Sequence, residues 1–264
     1  MSDRPRLVAT DLDGTLVRSD GTVSPYTREV LTALEARGVP VIFVTGRPLR
    51  WTEPVFEHVG SLGLAIVSNG ALVWDVAART ARLERTIAPD LALEVAGRLR
   101  TAVPGSHFAV EALGGFAMEP GYVRHLDDGE SRRGPIGELV DAPLLKLLAR
   151  HEQHAPDDYW HLAEEAVGEL VTVTHSSTTA LLEISGAGVT KATTLEQVAT
   201  ELGVAARDVI AFGDMPNDIA MLSWAGTSYA MADAHPRAAA AAGHLAPGHD
   251  DDGVARVLAE VFDL

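Results

Sequence analysis

Four short runs constrain this chain more than anything else in it: residues 7–10, 39–44, 64–67 and 209–212 are almost wholly apolar, with no alternation of polar and apolar positions. A strand with one wet face alternates, whereas a strand covered on both faces does not, so these runs predict a parallel sheet sandwiched between helices. Helical patterns fall between them. Ser24 is a good N-cap followed by Pro25, and Val30, Leu31 and Leu34 then recur at helical spacing up to Gly38. A helix is expected over 48–59, another from Thr190 carrying Ala192, Leu195, Val198 and Leu202 on one face, an Ala-rich one near 236–242 and a last one from Gly253. Strands alternating with helices in this way predict an α/β fold.

Each run ends in a polar cluster: Asp11-Leu12-Asp13-Gly14-Thr15, Thr45-Gly46-Arg47-Pro48, Ser68-Asn69-Gly70 and Gly213-Asp214. Parallel sheets of this kind take their ligands beyond the carboxyl ends of the strands, so these clusters are expected to face one site. Between them, from about residue 83, the pattern changes. A helix is expected over 90–103, short alternating stretches over 107–111 and 115–118, a polar Gly-rich loop over 127–137, a helix starting near Pro143, and strands over 170–174 and 180–184. This reads as α+β with antiparallel pairing. The expected organisation is an α/β core of residues 1–82 and 187–264, interrupted by a second domain at 83–186.

Asp11 and Asp13 lie two apart in an extended segment, so their side chains can face the same way, and Gly14 lets the chain turn behind them. Two carboxylates that close need a cation, a shared proton or strong donors. A hard divalent ion such as Mg2+ would let one of them attack an electrophile that otherwise repels it, a phosphoryl group above all, while the other moves protons. A strand ending in an ordinary Asp-Gly turn is the alternative. Asp-x-Asp-x-Thr arises by chance in roughly a few per cent of chains this long, so the remaining clusters have to decide.

They stand in a telling order: Asp11-Leu-Asp13-Gly-Thr15, Thr45-Gly46-Arg47, Lys191 at a helix start, and Gly213-Asp214-x-x-Asn217-Asp218. The chain resembles the haloacid dehalogenase superfamily, and within it the Cof-type (subclass IIB) phosphatases, across essentially its whole length. Supporting stretches are Ser68-Asn69-Gly70-Ala71, Gly188-Val189-Thr190-Lys191 after Glu183-Ile184, Ala220-Met221-Leu222 and Asp251-Asp252-Gly253-Val254-Ala255. The resemblance implies a Rossmann-like doubly wound parallel sheet with an inserted α+β cap of the C2B type. It also implies that Asp11 is a nucleophile forming an aspartyl-phosphate, and that Asp13 protonates the leaving oxygen and then activates water. Thr45 would hydrogen-bond a phosphoryl oxygen, and Lys191 would neutralise both that charge and the Asp11 carboxylate. Mg2+ would be held by the Asp11 carboxylate, the Asp13 carbonyl and Asp214, with Asp218 as a further ligand or its support. Gly46, Arg47, Asn69 and Asn217 complete the expected substrate contacts.

Taken singly, these residues have plainer explanations. Thr45 can cap a strand end, Lys191 can be a first-turn lysine, and Asp214 and Asp218 can be acids at a helix N-terminus. Arg47 can simply hold its loop, and Asn69-Gly70 is a good hairpin turn. In the insert, His107, Glu111, Arg124, His125, Arg132 and Arg133 are candidates to line a pocket, with the Arg132-Arg133 pair reading better as solvated. His175 reads as a strand end, and the run Asp250-Asp251-Asp252 as the loop before the last helix. Two loops depart from the family pattern, at Asp233 where Asn is commoner and at Gly248-His249 where a polar pair is usual.

Composition narrows the partners. With 21 basic and 37 acidic residues the net charge is -16, a field that repels polyanions, and no basic stripe is interleaved with aromatics, so nucleic acid is not expected. A small phosphorylated substrate stays compatible, because a few local cations act within a Debye length of about 8 Å. The chain has 0 Cys, no apolar run near the roughly 18 residues that span a bilayer, and no signal-peptide stretch after Met1-Ser2-Asp3-Arg4-Pro5. A cytoplasmic protein without a membrane partner is expected, as a monomer or weak homodimer. A phosphomutase or phosphotransferase of phosphomannomutase type, or a phospho-accepting regulator without turnover, are the competing readings.

Overall fold

The computed structural model describes residues 4–59, 63–123, 131–175 and 179–264, the side chains of 57–59 excepted. The chain divides into two compact units, Met1–Leu83 with Thr190–Leu264, and Glu84–Val189. The first unit opens with β1 (Leu7–Thr10), passes through α1 (Pro25–Ala36) to β2 (Val41–Val44) and through α2 (Leu49–Val59) to β3 (Leu64–Val67). It then turns back as β4 (Leu72–Asp75), antiparallel to β3, with β5 (Thr80–Glu84) along its outer edge. Ser24 caps α1 by accepting the Thr27 N–H, with Pro25 in the first turn.

The second unit is a six-stranded sheet. Its strands are β6 (His107–Ala112), β7 (Gly115–Met118), β8 (Arg132–Arg133), β9 (Lys146–Arg150), β10 (Val171–Thr174) and β11 (Leu181–Gly186), in the order β10-β11-β9-β6-β7-β8. α3 (Pro89–Ala102) and α5 (Pro156–Val167) cover one face, and α4 (Ile136–Leu139) is a single turn. Val95 and Leu99 of α3 and Tyr159 and Ala163 of α5 meet Phe108, Leu147 and Leu182 of the sheet in one core.

Here the expected helix from Pro143 is wrong. Lys146–Arg150 is an interior strand, paired with β6 on one side and β11 on the other. Its residues have good helix propensity, but ladders to two neighbours distant in sequence override that preference. The helix lies further on, at α5, which the sequence reading did not anticipate. Within the stretch expected as a 127–137 loop, β8 and the first residues of α4 are ordered elements.

The chain returns to the first unit with α6 (Lys191–Glu201), β12 (Val209–Gly213), α7 (Ile219–Trp224), β13 (Thr227–Met231), α8 (Pro236–Ala241), β14 (His244–Ala246) and α9 (Gly253–Phe262). The full order of this eight-stranded sheet is β14-β13-β12-β1-β2-β3-β4-β5. Leu7, Ala9, Ile42, Ile66 and Ala211 pack on Leu195 and Val198 of α6, each buried leucine, isoleucine or valine contributing about 1.5–3 kcal/mol. Facing the other way, Phe43 stacks on Phe56 of α2 at 6.1 Å. These strands are therefore buried on both faces, as their unbroken apolarity requires.

β1 is flanked by two parallel neighbours, with Thr10 opposite Phe212 of β12 and opposite Phe43 of β2. The connections leave it in opposite directions, which opens a crevice beyond its carboxyl end. Asp11 is the first residue in that crevice. No helix among the described residues is long and apolar enough to cross a membrane.

Candidate active site

The backbone fixes Asp11 before any side chain does. Its N–H donates to the Phe212 carbonyl at 3.0 Å, carrying the β1–β12 ladder one residue past the strand. Gly14 then adopts φ +70°, and a Cβ there would lie 2.5 Å from Asp214 Oδ2, so only glycine lets this loop pass so close to the end of β12. Thr15 Oγ1 donates to Asp214 Oδ1 at 2.9 Å, tying the two loops together.

Lys191 reaches the same point from α6. Thr190 caps that helix in a reciprocal arrangement with Thr193, which places Lys191 in the first turn. A cation at a helix N-terminus opposes the helix dipole, and this one is also buried, so it needs strong partners. It has two: Lys191 Nζ donates to Asp11 Oδ1 at 2.8 Å and to Asp218 Oδ1 at 2.7 Å. The other oxygen of Asp218 accepts the backbone N–H groups of Asp214 and Met215, both at 3.0 Å. Asp218 is thereby fully engaged as the strut that holds Lys191 and the turn after β12.

One carboxylate oxygen each from Asp11, Asp214 and Asp218 lies within 4.8 Å of the others, a grouping that can hold a metal ion. Charge supports the fit. Three carboxylates around one ammonium leave two uncompensated negative charges, the amount a divalent cation carries, and an all-oxygen donor set suits Mg2+. In the metal-free protein the excess shows in the protonation equilibria. Burial pushes the Asp11 carboxyl well above the usual range, Lys191 opposing it and Asp218, Asp214 and Asp13 adding to it. Burial and the Asp218 charge lift Asp214 to about 7. Burial alone would lower Lys191, but Asp11 and Asp218 outweigh it and raise its pKa, so the ammonium stays charged.

These shifts predict a pH dependence of stability. A carboxyl with a raised folded pKa binds its proton more tightly in the folded than in the unfolded chain. Its contribution is complete below the unfolded value of about 4 and is lost as pH rises through about 7, where Asp214 titrates. Metal-free protein is expected to lose melting temperature over that window, and Mg2+ to restore it increasingly as pH rises. Thermal melts with and without Mg2+ check this, and a Mg2+ effect independent of pH would contradict it.

Asp13 sits apart. Its carboxylate is half exposed and held by Arg47 in a bidentate pair, Nε to Oδ2 at 2.7 Å and Nη2 to Oδ1 at 2.5 Å. Arg47 also donates its N–H to Thr45 Oγ1 at 3.0 Å, so loop 45–47 is organised around its own threonine. Asn217 Nδ2 donates to Asn69 Oδ1 at 3.0 Å. The predicted residues thus fall into three groups: Asp11, Lys191, Asp214 and Asp218; Asp13 with Arg47 and, beside them, Thr45 and Gly46; and Asn69 with Asn217. The sequence reading gave no role to Thr15, although it stands within the first motif, nor to Ser68.

The second unit's candidates have partners of their own within that unit. Glu111 is buried on β6 opposite Lys146 of β9, and Lys146 Nζ meets Glu183 Oε1 at 2.5 Å in a buried pair that the sequence reading also missed. Arg132 is exposed and bonds Asp141 at 2.7 Å, Arg133 is exposed, and His175 Nε2 lies 3.1 Å from Asp157. Arg124 and His125 fall outside the described residues.

The chain matches known proteins along most of its length. Residues 8–258 match the sequence model of a family described as haloacid dehalogenase-like hydrolase. The 5-amino-6-(5-phospho-D-ribitylamino)uracil phosphatase YcsE of Bacillus subtilis (strain 168) is 27% identical over 96% of this chain and 94% of its own. The HMP-PP phosphatase of Serratia proteamaculans (strain 568) is 30% identical, covering 88% of this chain and 85% of its own. In structure, SMU.1108c from Streptococcus mutans UA159 superposes with a TM-score of 0.88 over 98% of this chain and 100% of its own, at 20% identity.

Proposed function

Because this chain belongs to the haloacid dehalogenase-like hydrolases, in the Cof-type branch, we propose that it is a Mg2+-dependent phosphatase of a small phosphorylated metabolite, a sugar phosphate in the first instance. The observation that carries the reading is the buried bridge from Lys191 to both Asp11 and Asp218, beside Asp214, at the carboxyl edge of the sheet. Two relatives named as phosphatases, one of them of a phospho-ribityl compound, support the substrate class.

In this reading an Asp11 carboxylate oxygen bonds to phosphorus as the bond from phosphorus to the substrate oxygen breaks, and Asp13 gives that oxygen its proton. Asp13 then takes a proton from water as the water oxygen attacks the aspartyl-phosphate, which frees phosphate and restores Asp11. One residue serves both half-reactions because the second reverses the proton flow. The half-exposed position of Asp13 suits a group that must meet both leaving group and solvent, its bidentate pair with Arg47 having to open for either proton transfer. Lys191, Thr45 and Asn217 bind the phosphoryl oxygens that keep their bonds to phosphorus throughout the transfer. The ion would be held by Asp11 and Asp214, with the Asp13 carbonyl, and Asp218 in support. When bound, it supplies positive charge that lets a carboxylate approach a phosphoryl group. To the inserted unit we assign the choice of substrate.

A panel of sugar, nucleotide and cofactor phosphates tests this. Phosphate release with Mg2+ that stops on adding EDTA is the expected result. Isomerisation of a hexose phosphate with little free phosphate would replace the phosphatase with a mutase.

A further inference from the structure

Three successive residues at the end of β3 have positive φ: Ser68 at 52°, Asn69 at 57° and Gly70 at 100°. Residues with side chains seldom take this conformation, and a run of it persists only where the surroundings impose it. All three are buried. Their hydrogen bonds show what does the imposing. The Ser68 N–H donates to the Arg47 carbonyl at 2.9 Å and the Asn69 N–H to the Thr45 carbonyl at 3.0 Å. The Gly70 carbonyl accepts the Thr194 hydroxyl at 2.8 Å, three residues along from Lys191 in α6. A Cβ on Gly70 would lie 2.3 Å from the Thr190 carbonyl, so the turn is pressed against the start of that helix.

The fourth contact comes from a side chain. Asn69 Oδ1 accepts from Asn217 Nδ2 at 3.0 Å, while Asn217 Oδ1 is buried with no partner among the described residues. A carboxamide can face either way unless one end is held, and its orientation follows the network around it. The hold on the Asn217 amide among the described residues is the Asn69 oxygen. One strained turn therefore reaches the three segments that carry Thr45, Lys191 and Asn217.

We propose that Asn69 is a positioning residue for phosphoryl binding: without touching substrate, its carboxamide sets the direction in which Asn217 presents its amide, while the left-handed turn around it holds the 45–47 loop against the start of α6. This rests on the phosphatase reading above and reassigns Asn69 from substrate contact to partner of Asn217. Strain in the turn is then the condition for bringing the Asn69 side chain and the two backbone N–H groups to their partners at once.

Replacement by glycine isolates the side chain, because Asn69→Gly keeps positive φ available and removes only the carboxamide. Binding of inorganic phosphate to the Mg2+-loaded protein is measured by calorimetry for wild type, Asn69→Gly, Asn217→Ala and the double variant, beside thermal melts. The expected result is a variant that melts close to wild type yet binds phosphate about five- to tenfold more weakly, the loss of one neutral hydrogen bond. The double variant should bind no more weakly than Asn217→Ala alone, since the two side chains act as one unit. Unchanged affinity in Asn69→Gly, or losses that multiply in the double variant, would overturn the inference. Absence of phosphate binding in the wild type would overturn the phosphatase reading and this inference with it, whereas failure confined to the variants overturns the inference alone.

Discussion

An Asp11→Asn variant is expected to fold and yet release phosphate at least about a thousandfold more slowly than wild type, because in the proposed mechanism it has lost the group that forms the bond to phosphorus. The carboxamide matches the carboxylate in size, and the N–H of residue 11 keeps its bond to Phe212. Removal of one of three crowded carboxylates relieves the repulsion that pushes Asp11 and Asp214 upward. The metal-free variant should therefore melt no lower than wild type, and above pH 7 it should melt higher. Initial rates and melts on the same preparation separate the two effects. Activity within tenfold of wild type would mean that water attacks phosphorus directly or that another residue does.

Lys191→Met carries the second large effect and moves both quantities together. Methionine fills similar volume but leaves Asp11 and Asp218 facing each other in a buried space, where Nζ had stood 2.8 and 2.7 Å from them. Removing one partner of a buried ion pair typically costs about 3–5 kcal/mol. Loss of a preorganised donor at the phosphoryl oxygens costs on the order of a hundredfold or more in rate. Mg2+ should recover part of the stability, since it answers the same excess charge, but not the rate. Denaturant unfolding with and without Mg2+, read beside the rate, checks this. A loss below about 1 kcal/mol with normal turnover would show that Lys191 is an ordinary first-turn lysine.

Much of this fold was legible because buried parallel strands carry a signature that survives without partners. Residues 7–10, 41–44, 64–67 and 209–212 are strands in the structure, and their ends lie together because the order of a doubly wound sheet puts them there. β9 was not legible. Leu-Leu-Lys-Leu-Leu-Ala-Arg has no period that distinguishes helix from strand, and what makes it a strand is pairing with β6 and β11, some forty residues before it and thirty after.

In the site, residue types and spacing pointed to Asp11, Lys191, Asp214 and Asp218, which the structure brings together. Pairings between loops were beyond reach. That Arg47 takes Asp13 rather than standing alone, that Thr15 bonds Asp214, and that Asn69 meets Asn217 are all contacts across more than thirty residues of chain. The run of positive φ at 68–70 was equally hidden, since Ser68-Asn69-Gly70 reads as a plain hairpin turn until the backbone is seen.

The central claim is that phosphorus becomes bonded to Asp11. It is tested most directly by mixing Mg2+-loaded protein with a substrate found in the phosphatase panel, quenching in acid within one turnover and locating the added phosphoryl mass by peptide mass spectrometry. The account predicts one phosphoryl group on the peptide that carries Asp11, absent from the Asp11→Asn variant. Phosphate release at the normal rate with no phosphoryl group on the protein, or with the group on another residue, would contradict it.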